Sequence, residues 1–230
     1  MPETIIELNN VWKTYYMGNN EVHALQGISL KVKKGEFVAI MGPSGSGKST
    51  AMNMIGCLDV PSKGEVYLSG KDIMNMSESN LAQVRGRKIG FIFQKFNLIN
   101  TLTAKENVIL PMILQDMTKQ ERELKAYEIL KLVDLTDRMN HRPNELSGGQ
   151  QQRVAIARSM AMNPEVILAD EPTGNLDSKS GSTVISFLKK LHKEKGTTIV
   201  MVTHDEHIAH NAERIEYIKD GKIEKVKHNK

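Results

Sequence analysis

The sequence predicts an α/β fold: a mainly parallel sheet covered on both faces by helices. Three observations predict it. Short apolar runs at 37–41, 89–93, 165–171 and 197–203 alternate with helical stretches, as buried parallel strands do. A glycine-rich turn at 42–47 joins the first run directly to a helix. Gly42–Ser49, Asp170-Glu171 and His204 each follow such a run immediately, and ligands in these sheets gather at the carboxyl ends of strands, so these residues converge on one site.

Taken in order, 4–11 and 22–32 are β-rich. Between them, 12–20 (Trp-Lys-Thr-Tyr-Tyr-Met-Gly-Asn-Asn) reads as a loop with exposed aromatics. Tyr15 or Tyr16 offers the flat apolar surface that a nucleotide base needs. Residues 37–50, Phe-Val-Ala-Ile-Met-Gly-Pro-Ser-Gly-Ser-Gly-Lys-Ser-Thr, contain Gly-x-x-x-x-Gly-Lys-Ser, the phosphate-binding loop. Gly42, Gly45 and Gly47 allow positive-φ turns that aim successive N–H groups inward, with Pro43, Ser44 and Ser46 between them. A helix starting near Lys48 points its dipole at the same phosphates. Lys48 supplies a mobile cation for the β- and γ-phosphates, Ser49 a hard oxygen suited to Mg²⁺, and Thr50 closes the motif.

The helix runs to about Ile55, with Gly56 as its C-terminal glycine and Cys57 as a small buried side chain of the same helix. Residues 59–64 (Asp-Val-Pro-Ser-Lys-Gly) are turn chemistry. Strands at 65–69 and 89–93 flank a short polar helix at 78–84, and Gln94 follows directly. From 97 to 162 the chain is helical, with Thr103-x-x-Glu106, Thr118-x-x-Glu121 and Ser147-x-x-Gln150 as capping boxes. The second opens a helix whose Leu124, Tyr127, Leu130 and Val133 (or Leu132) predict a core-facing stripe. Strand 165–171 ends in the paired carboxylates Asp170 and Glu171. Asp177 is placed to cap a helix over 178–195 that Gly196 ends. The hairpin 215–226 closes the chain around Lys219-Asp-Gly-Lys222. His204-x-x-His207-x-x-His210 has no Cys or carboxylate cluster beside it and does not read as a zinc site.

With 230 residues, 40% apolar and 25% charged, the composition is that of a soluble globular protein. No run approaches the ~18 apolar residues of a membrane span, and the N-terminus lacks a secretion-signal pattern. One cysteine excludes an internal disulfide framework and suits a reducing cytosol. The net charge of +4 is concentrated at 31–34 and 222–230. No basic patch is interleaved with aromatics, so no nucleic-acid partner is expected.

The phosphate-binding loop, Gln94, Leu146-Ser-Gly-Gly-Gln150, Ile167-Leu-Ala-Asp170-Glu171, Asn175-Leu-Asp177 and His204 stand in the order and spacing of the ATP-binding cassette (ABC) ATPases, which this chain closely resembles. Residues 55–64 and 93–99 are most similar to the LolD/MacB-type group of lipoprotein release, macrolide efflux and antimicrobial-peptide transport. The resemblance implies a P-loop NTPase (RecA-like) core, 1–96 and 163–230, with an N-terminal antiparallel β region and an inserted α-helical subdomain at about 97–162. It implies ATP and Mg²⁺, with Tyr15 on the adenine and Ser49, Asp170 and Gln94 around the metal. Glu171 would be the general base, with His204, Gln94 and Lys48 at the γ-phosphate. Ser147, Gly148, Gly149 and Gln150 would act in trans on the nucleotide of a second copy. A separate transmembrane permease would be the other partner, holding the protein on the cytoplasmic face of the membrane. The alternatives are an FtsE-like regulatory ATPase and a soluble, non-transport ABC ATPase.

Overall fold

The computed structural model describes residues 3–18 and 20–229; Met1, Pro2, Asn19 and Lys230 lie outside it. Strands β1 (Thr4–Met17) and β2 (Asn20–Lys33) form one long antiparallel hairpin, paired from Thr4↔Lys33 to Met17↔Asn20. The stretch from Trp12 onward is therefore strand, where a loop was expected. Its β-branched and aromatic residues favour the pleated surface, and Gly18 follows the strand in left-handed backbone, at φ 61°. Asn10, at φ 48°, marks a bulge that bends the hairpin without ending it.

Strand β3 (Phe37–Met41) leads into α1 (Lys48–Ile55), followed by β4 (Lys63–Leu68) and the two-residue β5 (Lys71–Asp72). The first sheet is antiparallel, in the order β2-β1-β4-β5. Gly56 ends α1 for a reason other than the one expected. Its φ is −80°, and the left-handed residue is Cys57, at φ 53°. Glycine is needed at 56 for space, because a Cβ would lie 2.7 Å from Phe91 Cζ and 3.1 Å from Leu168 Cδ1. Cys57 thus sits just beyond the helix rather than in it, buried, and that burial pushes its thiol up to about 11.

Helix α2 (Glu78–Lys88) extends a turn past the expected end and runs straight into β6 (Ile89–Ile92). Then come α3 (Ala104–Ile113), α4 (Lys119–Leu132) and α5 (Gly148–Ser159), which pack on one another, with both threonine capping boxes formed as read. The stripe on α4 is only half the expected one: Leu130 and Val133 are buried as read. Leu124 and Tyr127 are exposed at 63% and 47%, whereas Ala126, Ile129, Leu130 and Val133 are buried. These four also repeat at helical spacing. Counting large side chains favours the wrong arc, because small Ala126 is fully buried there.

The remaining elements are β7 (Val166–Asp170), α6 (Ser178–Lys195), β8 (Thr198–Thr203), α7 (Glu206–Ala209), β9 (Arg214–Lys219) and β10 (Lys222–His228). The second sheet has the order β10-β9-β3-β8-β7-β6, parallel except for β10. Strand alternation divides the core between its two faces. Val38, Ile40, Leu168, Val200 and Val202 pack with α1 and the antiparallel sheet. Ala39, Ile167, Ala169, Ile199 and Met201 pack with α3 to α6. This double burial is why β3, β7 and β8 read as continuous apolar runs.

Candidate functional site

The site is built where β3, β7 and β8 end side by side. After β3 the chain must turn through Gly42, where a Cβ would stand 2.0 Å from Ile218 O of β9. Gly45 and Gly47 have φ 76° and 101°, and a Cβ on Gly47 would meet Ala24 O at 2.4 Å. The closing hairpin braces this loop, since Gly221 N donates to Ser46 O at 2.9 Å. No side chain caps the start of α1, so its first N–H groups are left for another acceptor. Lys48 is buried, and its Nζ donates to Gly42 O (2.9 Å) and Pro43 O (2.8 Å), two of the three hydrogen bonds an ammonium can make. The buried Ser46 Oγ has no partner among the described residues.

Asp170 is the last residue of β7. Burial raises its carboxyl above the usual range, as does the charge of Glu171, while Lys48 opposes them. Glu171 adopts left-handed backbone at φ 43°, with its N–H donated to Val202 O at 2.9 Å. His204, one residue past β8, places Nδ1 2.8 Å from Glu171 Oε1. A carboxylate only accepts, so in this contact Nδ1 is the donor. Gln94 lies two residues past the end of β6. Asn175 Nδ2 donates to its backbone oxygen at 2.9 Å, and Gly174 lies against its side chain, where a Cβ would approach Nε2 to 2.8 Å.

These residues share one cleft of about 610 Å³, lined by Pro43, Ser44, Gly45, Lys48, Ser49, Gln94, Asp170, Glu171 and His204. Its chemistry is cationic and donor-rich on the loop side, which also carries the Ser44 and Ser49 hydroxyls, with the Asp170 and Glu171 carboxyls, Gln94 and His204 opposite. Such a set suits a polyphosphate, and Ser49, Gln94 and Asp170 are the hard oxygens a small divalent cation takes. Ser147, Gly148, Gly149 and Gln150 do not line the cleft. They open α5, where Ser147 caps and Gln150 closes the box, with Gly149 packed on Ser180. Tyr15 also lies off the cleft, half-buried, with its phenol near Thr50 and bonded to Asp59; Tyr16 is 72% exposed. The buried Gln152 escaped the sequence reading: its Nε2 donates to Pro172 O at 2.7 Å, tying α5 to the segment after Glu171. So did Lys13 and Asp59; partners 20 to 46 residues apart leave no local pattern.

A family model described as ABC transporter matches residues 25–174. The chain belongs to this family. Its cassette is 55% identical over 225 residues to an uncharacterized ABC transporter ATP-binding protein, MJ0796, of Methanocaldococcus jannaschii, covering 96% of each chain. It is 51% identical to the macrolide export ATP-binding/permease protein MacB of Aggregatibacter actinomycetemcomitans, over 95% of this chain and 34% of that longer one. A dimeric structure of the cassette MJ0796 in a post-hydrolysis state, bound to ADP and Pi, superposes with a TM-score of 0.91 at 52% identity, over 98% and 99% of the two chains. The ABC cassette fold accounts for both sheets and the helical region, and the MacB relative, aligned over 95% of this chain, agrees with the LolD/MacB-type resemblance.

Proposed function

We propose that this ABC ATPase binds Mg-ATP in the cleft between the 42–50 loop and the ends of β7 and β8, and hydrolyses it to ADP and phosphate as the motor of a transporter. The observation that carries the reading is the meeting of Lys48 and Ser49 with Asp170, Glu171 and His204 in one cleft. The N–H groups of the loop and α1 and the Lys48 ammonium hold the phosphates, while Tyr15 stacks on the base. Ser49, Asp170 and Gln94 would hold Mg²⁺, which neutralises charge on the β- and γ-phosphates. Glu171, held by His204, would take the proton of the attacking water through its remaining oxygen, and the other ring nitrogen of His204 would be the one available to the γ-phosphate.

Ser147 to Gln150 lie away from their own chain's cleft, which suits a role on the nucleotide of a second copy. The dimeric cassettes among the relatives support the same arrangement. The permease half in the name of the MacB relative supports a membrane permease at the inner face as the partner that takes up the motion; no described helix is itself long and apolar enough to cross a membrane. A groove of about 420 Å³, lined by Leu58, Phe91, Phe93, Pro111 and Met162 with Arg85 and Arg158 among them, suits a docking helix beside Gln94. The helical segment 97–162 would move against the remainder of the chain. The macrolide export in the name of the MacB relative supports export; a lipophilic or peptide substrate is our reading from the LolD/MacB-type resemblance.

The test is Glu171→Gln. This change keeps the shape and removes the base, so kcat should fall about 10²- to 10⁴-fold. Light scattering should then show a dimer with ATP and a monomer without it. A variant that binds ATP, yet stays monomeric both alone and with its permease, would overturn the trans role of Ser147 to Gln150.

A further inference from the structure

The clearest arrangement outside the catalytic cleft surrounds Tyr15. Its phenol donates to Asp59 Oδ2 at 2.9 Å. Lys13 Nζ donates to Asp59 Oδ1 at 2.6 Å and to Val60 O at 2.8 Å. The same ammonium stands 5.0 Å from the centroid of the Tyr15 ring. Lys13 and Tyr15 are two apart on β1 and so share one face of the strand. The adjacent Tyr16 projects to the other face, is 72% exposed, and makes no such contact.

Asp59 lies four residues beyond the end of α1, the helix that begins at the phosphate-binding loop. The contact therefore ties the strand carrying Tyr15 to the element carrying Lys48 and Ser49. Burial pushes the Asp59 carboxyl up, but bonds from Lys13, Tyr15 and the Val60 N–H outweigh it and hold the group below its usual range. Burial and Asp59 push the Tyr15 phenol up, so at neutral pH the donor stays protonated and the acceptor ionised.

We propose that Asp59 and Lys13 are positioning residues for the nucleotide base: they lock the Tyr15 ring at a set distance from the phosphate-binding loop and cover one ring face, so that the base stacks on the other. This rests on the reading of Tyr15 as the base-stacking aromatic. A free tyrosine ring must give up rotation about two side-chain bonds when a base stacks on it; here that order exists beforehand, which is preorganisation. The ammonium over one face makes a cation–π contact, so the opposite face is the open one. It also distinguishes Tyr15 from its neighbour, which the sequence alone leaves undivided.

The experiment compares ATP with inorganic tripolyphosphate, which has the phosphates without the base. Tyr15→Phe keeps the ring and removes the donor; Asp59→Ala removes the acceptor; Asp59→Asn keeps one. Tyr15→Phe and Asp59→Ala should each raise KM for ATP about three- to tenfold, a part of what base–aromatic stacking contributes. The change should fall in KM, with kcat within about twofold and the Ki of tripolyphosphate unaltered. The double variant should be no worse than the worse single one, and Asp59→Asn should recover most of the loss. If Tyr15→Ala raises KM while Tyr15→Phe and Asp59→Ala do not, stacking stands and the lock is overturned. If Tyr15→Ala leaves KM unchanged, stacking and lock fall together. A tripolyphosphate Ki that rises in step with KM in Asp59→Ala overturns the lock as well, because the phosphate loop itself has then moved.

Discussion

Two side chains, one in the nucleotide cleft and one past the far end of α1, stand on backbone that residues with a Cβ rarely adopt: Glu171 at φ 43° and Cys57 at φ 53°. Such conformations cost about 1 to 3 kcal/mol and persist where neighbours over-determine them. For Glu171 the neighbours are Val202 O and His204 Nδ1, so the strain aims the carboxylate into the cleft. For Cys57 it is Arg85, whose Nη1 donates to the Cys57 carbonyl at 2.6 Å. The Cys57 thiol is pushed by burial from 9.0 up to about 11, against the pull of Arg85. A raised folded-state pKa adds stability that is complete below the unfolded value and lost as pH rises through the folded one, so this contribution fades between about pH 9 and 11. Those two units also leave about 100-fold less thiolate than an unburied cysteine holds at pH 8. Labelling with a thiol-reactive disulfide dye at pH 8 should be slower than in urea by at least that factor; equal rates would show an accessible thiol.

Helix α4 separates apolar pattern from actual burial. Leu130 is fully buried among α3 and α5, so Leu130→Ala should cost about 2 to 5 kcal/mol through lost transfer energy and the cavity left behind. Leu124→Ser removes a side chain that is 63% exposed and should stay within about 0.5 kcal/mol of the parent. Urea unfolding of the two variants measures the contrast, and a reversed order would restore the stripe through Leu124. The helix starts were legible because a capping box needs only residues three apart. The buried arc depends on where two other helices lie.

At the scale of the molecule, Arg214 joins the two sheets. From β9 its Nη2 donates to Lys31 O on β2 at 2.6 Å, its Nε to Glu36 Oε1 at 2.8 Å, and its Nη1 to the buried Glu216. Burial raises the Glu216 carboxyl, and Arg214 is the main influence holding it down, against a smaller opposing push from Glu36. Arg214→Ala would leave that carboxyl buried without its partner, at a cost of about 3 to 5 kcal/mol at neutral pH. The Glu216 pKa would then rise further above its unfolded value. Its stabilising contribution is present below the unfolded value and is lost as pH climbs, so the deficit should grow from pH 5 to pH 7.5. Urea titrations at both pH values measure it, and a deficit independent of pH would mean that Glu216 is not the group left exposed to the change.

The sequence by itself determined the parallel core, the phosphate loop, Gln94, the Asp170-Glu171 pair, His204 and all three capping boxes. Each depends on residues close in the chain or on an apolar run ending in a chemical group, and local sterics and hydrogen bonding decide such features. Tertiary structure alone decided that 12–17 continues as strand, that Gly56 answers to Phe91 and Leu168, and that α4 buries Ala126 rather than Leu124. It alone brought Asp59 to Tyr15, Gln152 to Pro172 and Arg214 to Lys31. Those contacts span 20 to 183 residues, and the free energy that selects them comes from packing whole elements together, which no short stretch of sequence encodes.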